Sequence, residues 1–505
     1  MRKAGILLPV FSLPNRFGIG CFSQEAYDFI DFLHDSKQSY WQVLPLGPTG
    51  EASSPYDPMS SFAGNPIYID IDTLVRKGLL KHSDIPKDIP CNSYDTFGRY
   101  IRNSEVKDLK LQLLRKAYSN FTADNSFSQF IDENSYWIED TALFYALSRH
   151  FGSTDWHNWP QDIRYRRISA IIYYSAKLIE DYNFFRWTQY EFFSEWNDIL
   201  SYAHSRNIDI VGDMPIYTSY QGADCWSHPE IFQLNADLKY TDVSGCPPDA
   251  FSSIGQKWNN PLYNWHNRKD TFTWWGERIR QNFRMFDVLR IDHFRGLESY
   301  YSIPAGDDTA LNGHWEKGPG MSLFNYLATT IGNHRYFAED LGYITPEVRH
   351  LLDETGFPGM KVLQFAFDSD LHNPYLPHNY TENCVVYTGT HDNSTLRGWF
   401  NEQNEYRIKF IHDYLDDHRD VLNGTLDVSS VNEDNICDIM IYMAQLSIAD
   451  TCIIPIQDYL ELDRRARNNV PSIAEGNWNW QLRDDYMTHE LSERIKKITV
   501  MAERA

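Results

Sequence analysis

At three places along the chain, acidic side chains stand directly behind short apolar runs. Val288 and Leu289 lead into Arg290, Ile291, Asp292 and His293. Tyr336, Phe337 and Ala338 lead into Glu339 and Asp340, and the run ending at Tyr387 leads through Thr390 and His391 to Asp392 and Asn393. If each run is a strand, side chains alternate in direction, so Arg290 and Asp292 share a face and Ile291 points the other way. A guanidinium at that spacing pairs with Asp292 and keeps it ionised at neutral pH. An ionised carboxylate beside a second, protonated carboxyl suits retaining glycoside chemistry. One group attacks the sugar carbon while the other gives and then takes a proton, the two standing about 5–5.5 Å apart.

A single acid behind a strand is most often a cap or an ion-pair partner. Three of them, one with Arg beside it and another with His, favour a shared site. An Asp, Glu and His cluster can also hold a metal. The sequence has no HExxH, His-x-His or EF-hand pattern, so no metal is expected. Gly18-x-Gly20 lacks the third glycine of a dinucleotide loop, and residues 47–50 (GPTG) lack the lysine of a phosphate loop. No Gly-x-Ser-x-Gly elbow occurs, and no cofactor is expected.

The acids need elements to hold them. Short apolar runs recur at 5–10, 41–46, 210–216, 288–293, 336–340, 361–367, 384–389 and 452–456. Continuous apolar runs of this length fit parallel strands buried on both faces. Amphipathic helical patterns at 25–34, 195–205 and 274–285 lie between them, and further ones fall at 106–118 and along 163–205. Eight strands alternating with helices predict an α/β fold, a (β/α)8 barrel with its active site at the C-terminal strand ends. A plain barrel uses about 30 residues per unit. Two stretches exceed that, so the reading is one barrel domain over 1–505 with two insertions. The first is largely helical, over about 70–200; the second, over about 217–287, is a loop-like lid and substrate region. No separate C-terminal β domain is expected.

Composition narrows the partners. Lys and Arg number 46 against 69 Asp and Glu, a net charge of −23, which argues against general affinity for nucleic acid or anionic membrane. The 32 Tyr, 29 Phe and 15 Trp fit either a large aromatic core or surfaces that stack on sugar rings. Seven cysteines without a CxxC pair read as reduced thiols of a cytoplasmic chain. The apolar residues after Met1, Arg2 and Lys3 faintly imitate a signal peptide, but Pro9, Pro14 and Arg16 interrupt them, and they read as a buried strand. The most apolar stretch elsewhere, 439–456, carries Gln445, Asp450 and Pro455, so no membrane span is expected.

Eight segments taken together resemble the amylomaltase, or 4-α-glucanotransferase, family of the α-amylase-like retaining barrels. They are ILLPVFSLPNRFGIG at 6–20, YWQVLPLGP at 40–48, SPYDPMSSFAGNP at 54–66, GDMPIY at 212–217, GCPPDAFSSIGQKWNNP at 245–261, RIDHFRG at 290–296, AEDLG at 338–342 and GTHDN at 389–393. The resemblance runs from Leu7 to about Trp480. It implies Asp292 as nucleophile, Glu339 as general acid then base, and Asp392 as the group that holds sugar hydroxyls and favours an oxocarbenium-like transition state. It implies substrate-binding roles for Tyr56, stacked under the reacting ring, for His391, bonded to a hydroxyl of the same sugar, and for Arg290, bonded to Asp292. Asp213 would support the site. Trp258 belongs to a segment, 245–258, resembling the family's lid, and Asn469, in residues 466–472, would reach the sugar. The residues that follow, Glu475 to Trp478, also fit. The implied partners are a malto-oligosaccharide donor and a glucan or glucose acceptor. An α-glucan hydrolase is the alternative, and a non-catalytic glucan-binding protein would be expected to lack one of the acids. Three departures stand out: Asn259 replaces the usual Gly, Cys246 a β-branched residue and Ile473 a Thr.

Overall fold

Eight parallel strands close into a barrel. They are β1 (Lys3–Leu7), β2 (Tyr40–Gln42), β3 (Asp209–Met214), β4 (Val288–Ile291), β5 (Arg335–Ala338), β6 (Gly359–Val362), β7 (Cys384–Tyr387) and β8 (Thr451–Pro455). Each pairs with its neighbours in chain order, and β8 pairs with β1 to complete the ring. The computed structural model describes residues 2–50, 53–248, 252–368, 370–418, 431–471, 473 and 475–505.

Both faces of the strands are apolar, which is why the sequence shows continuous runs. Leu7, Tyr40, Val211, Val288, Phe337, Met360, Val385 and Ile453 fill the barrel interior as part of one cluster. Ile6, Trp41, Ile210, Leu289, Tyr336, Val386 and Ile454 alternate with them and join the larger cluster under the helices. Gly212 in β3 is needed for that packing, since a Cβ there would lie 2.2 Å from the ring of Phe286. All eight expected strands are present, but several are shorter than their apolar runs. β1 stops before Pro9, β2 before Pro45, and the sixth run turns after Val362 into a 3-10 turn, Leu363–Phe365. A proline cannot donate to a strand ladder.

Between β2 and β3 the chain forms helices that include Asn103–Tyr118, Ser135–Phe151, Ile168–Lys177 and Ile179–Ser205, the last returning directly to β3. Residues 217–287, expected to be largely loop, hold more structure than that. Strands Asp242–Cys246 and Gln256–Pro261 join Ser299–Pro304 and His314–Lys317 in a four-stranded antiparallel sheet beside the barrel mouth. These strands escape a reading by hydrophobicity because residues such as Gln256, Lys257, Asn259 and Asn260 carry no apolar alternation. Among the described residues no helix is long and apolar enough to cross a membrane, and no cluster of three or more His, Cys, Asp or Glu is arranged to hold a metal ion. None of the seven cysteines forms a disulfide.

Candidate active site

The barrel interior ends, at its C-terminal side, in a buried ion cluster. Asp213 on β3 lies opposite Arg290 on β4 in strand register. Alternation turns both side chains inward, above the apolar layer of Val211 and Val288. Arg290 Nη1 donates to both oxygens of Asp213, each at 2.7 Å, and stands 3.0 Å from Asp292 Oδ1. The ordering differs from the sequence expectation, which gave Arg290 to Asp292 alone. The guanidinium is shared, and its closer partner is Asp213, whose side chain has no exposed surface. Asp213 and Arg290 therefore lie beneath the cleft floor and touch the cleft through Tyr56 and Asp292.

Asp292 follows β4 immediately, its N–H donating to the Met214 carbonyl at 3.0 Å. His293 then takes a left-handed conformation, φ 51°, and its N–H donates to Glu339 Oε2 at 2.8 Å. Glu339 Oε1 accepts from Leu341 N–H at 2.7 Å. Two backbone amides thus fix the carboxyl of Glu339 one residue from Asp292. Burial pushes both groups up. Asp292 rises to about 6, with Arg290 opposing the rise and Asp213 and Asp392 adding to it. Glu339 rises to about 7 because the charge of Asp292 adds to burial, against Arg290 and the two amides. Both carboxyls are therefore held above their ordinary values, with the Arg290 guanidinium favouring charge on Asp292 and the charge of Asp292 favouring the proton on Glu339. The Asp292 side chain remains 27% exposed, open to a ligand.

Asp392 differs from both. Burial raises it, but His391 and the Asn469 amide more than offset that, and it lies well below the usual carboxylate range. Asn469 Nδ2 donates to Asp392 Oδ1 at 2.6 Å, and His391 Nε2 stands 3.4 Å from Oδ2. The carboxylate of Asp392 and protonation of the His391 ring support one another. Burial alone would depress His391, yet Asp392 and Asp213 hold it above its ordinary value.

Aromatic rings form one wall. Tyr56 stacks on His391 with centroids 4.8 Å apart and planes 16° apart, and Trp478 tilts against both at 5.6 and 5.9 Å. The Tyr56 hydroxyl donates to Asp213 Oδ2 at 2.7 Å and lies 3.3 Å from His391 Nδ1. Both ring nitrogens of His391 thus face protein groups, and its side chain is buried, whereas a sugar hydroxyl was the expected partner. Trp258, on strand Gln256–Pro261, meets the His293 ring edge to face at 4.9 Å.

These walls enclose a cleft of about 680 Å³ lined by Tyr56, Asp292, Glu339, Asp392, Trp258 and Asn469. Sequence reasoning missed Tyr217, Tyr220, Tyr240, Gln256 and His293 as lining residues. The first four sit in the stretch read as loop. His293 carried a signal, standing beside the proposed nucleophile. Asn259, noted as a replacement for Gly, adopts φ 63°, a conformation that Gly takes freely and Asn tolerates. Residues 249–251 of the lid-like segment and Ser472 lie outside the described residues. A larger cavity, about 830 Å³, opens between residues 48–49 and 53–68 on one side and helices Asn103–Tyr118, Ser135–Phe151 and Ile179–Ser205 on the other. It shares Trp478 with the cleft but holds none of Asp292, Glu339 and Asp392.

A family model described as 4-alpha-glucanotransferase matches residues 8–488. The chain is 43% identical over 499 residues to the 4-alpha-glucanotransferase of Clostridium butyricum, covering 97% of this chain and 98% of that one. It is 40% identical over 509 residues to a 4-alpha-glucanotransferase of Streptococcus pneumoniae serotype 4, covering 100% and 97%. Its structure superposes on the amylomaltase from Streptococcus agalactiae in complex with acarbose with a TM-score of 0.93, at 34% identity and over 100% of both chains. A match of this extent, over the barrel and every part of the cleft described above, makes the chain a member of the 4-alpha-glucanotransferase family.

Proposed function

We propose that the chain performs its family's transfer on α-1,4-glucans by double displacement across Asp292 and Glu339. The observation that carries this reading is geometric: Asp292 and Glu339 stand at adjacent strand ends and line one cleft, Asp292 beside the Arg290 guanidinium and Glu339 held by the His293 and Leu341 amides. In the first step an Asp292 oxygen attacks the anomeric carbon of a malto-oligosaccharide donor. Glu339 gives its proton to the departing glycosidic oxygen, and the leaving glucose or short maltodextrin diffuses away. The new ester neutralises Asp292. Its charge is one cause of the high Glu339 value, so esterification lowers Glu339 and turns it into a better base. In the second step Glu339 takes the proton of an acceptor 4-hydroxyl. That oxygen attacks the anomeric carbon, and the bond to Asp292 breaks with retained configuration.

Asp392, anionic throughout, stabilises positive charge at the sugar ring and holds its hydroxyls together with Asn469. Tyr56 stacks beneath the reacting sugar, and His391 holds Tyr56 and Asp392 in place. Trp258 shields the intermediate on the acceptor side, where excluding water favours transfer over hydrolysis. The likeness to an amylomaltase bound to acarbose supports an oligosaccharide in the cleft. The sparse cysteines, none in a disulfide, support a cytoplasmic setting.

Incubation with maltotriose alone, followed by chromatography, tests the reading. The expected result is glucose plus a ladder of longer maltodextrins with no net gain of reducing ends. Glucose and maltose alone, with reducing ends rising, would replace it with the hydrolase reading.

A further inference from the structure

The loop that carries His391 and Asp392 is tied at both ends to one buried carboxylate. Asp458, 1% exposed, lies on the short helix Ile456–Tyr459 that follows β8. Its Oδ2 accepts from the Thr388 hydroxyl at 2.6 Å and its Oδ1 from Leu396 N–H at 2.8 Å. The two contacts bracket Asp392. Burial pushes Asp458 up to about 6, opposed only by these two donors. No arginine or lysine pairs with it among the described residues, so it serves the loop and no ion pair.

Between the loop and Asp458 lies a cavity of about 10 Å³, the size of a single water site. Ser394, Gln457 and Asn468 line it, each at least nine-tenths buried. Ser394 Oγ, Gln457 Oε1 and Asn468 Oδ1 have no hydrogen-bond partner among the described residues. The Gln457 amide is oriented by its Nε2, which donates to the Ala466 carbonyl at 3.2 Å. A water there would have two acceptors in the amide oxygens and one donor in the serine hydroxyl, the complement a single water can meet. Arg467 and Asp458 both border the same cavity, so its lining carries one group of each charge. The far side of the site leads back to Asp392. Asn468 precedes Asn469, which holds Oδ1, and Arg467 donates to the Asp392 carbonyl.

We propose that Asp458 and one water held by Ser394, Gln457 and Asn468 form a strut that sets Asp392 and Asn469 in register, making Thr388 and Asp458 positioning residues for the transfer. The proposal rests on the reading of Asp392 as the group that stabilises the transition state. A buried polar pair is costly to break, whereas Thr→Val preserves shape, so Thr388→Val and Thr388→Ser separate the hydroxyl from the packing.

The test measures kcat and KM on maltotriose for both variants, normalised to sites trapped by a 5-fluoroglucosyl fluoride, and adds high-resolution crystal structures of the unaltered protein and of T388V. T388V is expected to lower kcat about 10- to 100-fold with KM within about 2-fold, while T388S stays within about 2-fold of the unaltered protein on both. The crystals should show one water on the three oxygens, and Asp392 displaced in T388V. Equal kcat in T388V and T388S, an unmoved Asp392, or a cation or no density in the cavity would overturn the strut. Failure of the unaltered protein to lengthen maltotriose would instead overturn the functional reading, leaving the crystallographic arm to judge the strut.

Discussion

The floor and the walls of the cleft are built by different means. The floor and the layer beneath it are barrel: Asp292 and Glu339, with Asp213 and Arg290 under them, stand at the ends of adjacent strands, and ladder register places Asp213 beside Arg290. The Arg290–Asp213 pair is buried, so removing either of its partners leaves a charge unpaired. The walls are excursions. Tyr56 comes from the loop after β2, Trp258 from a lateral strand, and Asn469 and Trp478 from the segment after β8. Their contacts are stacked rings and single hydrogen bonds. On the proposed mechanism the difference assigns each property its place: bond making to the floor, and the choice between water and a sugar acceptor to the walls.

The largest effect should come from the floor. D292N exchanges one oxygen for nitrogen of similar size and is expected to cut turnover by about 10⁴-fold or more at unchanged melting temperature. E339Q should nearly abolish turnover of maltotriose yet recover a substantial part of the rate with α-glucosyl fluoride, whose leaving group needs no proton. Equal losses on both substrates would remove Glu339 from the acid role. On the walls, N469A deprives Asp392 of one hydrogen bond and should lower kcat/KM about 10-fold. W258A should change donor cleavage by less than about 10-fold while raising the share of hydrolysis products. Were W258A to stop donor cleavage outright, the division between floor and walls would fail.

A pH profile sharpens the same comparison. Asp292 must be charged to attack, so kcat/KM should rise as pH increases through about 6. Glu339 must carry its proton, so kcat/KM should fall as pH passes about 7. The two groups interact, and the limbs of this narrow bell belong to the pair. D213N removes a negative charge that helps to raise Asp292, so the acid limb should move to lower pH. W258A should leave both limbs in place.

Much of the floor was legible because its signals are local. Continuous apolar runs announced all eight strands, and acids stood at their ends. What remained hidden depends on distant residues meeting. The preference of Arg290 for Asp213 arises from register between strands whose sequences lie 77 residues apart. The sheet built from 242–246 and 256–261 is polar and pairs with strands that no period reveals. Family likeness, carried by short motifs, supplied Tyr56, Trp258 and Asn469, which by residue type alone read as ordinary packing or turn residues. It also supplied the contrast at Asn259, whose reason, a left-handed backbone, became visible only in three dimensions.

The central claim is that Asp292 forms a covalent bond to the sugar. It is tested most directly by trapping with a 5-fluoroglucosyl fluoride and mapping the adduct by mass spectrometry of peptides. The account predicts one fluoroglucosyl group, on the peptide containing Asp292 and absent from D292N. An adduct on another carboxylate, or full transfer activity with no adduct at all, would contradict it.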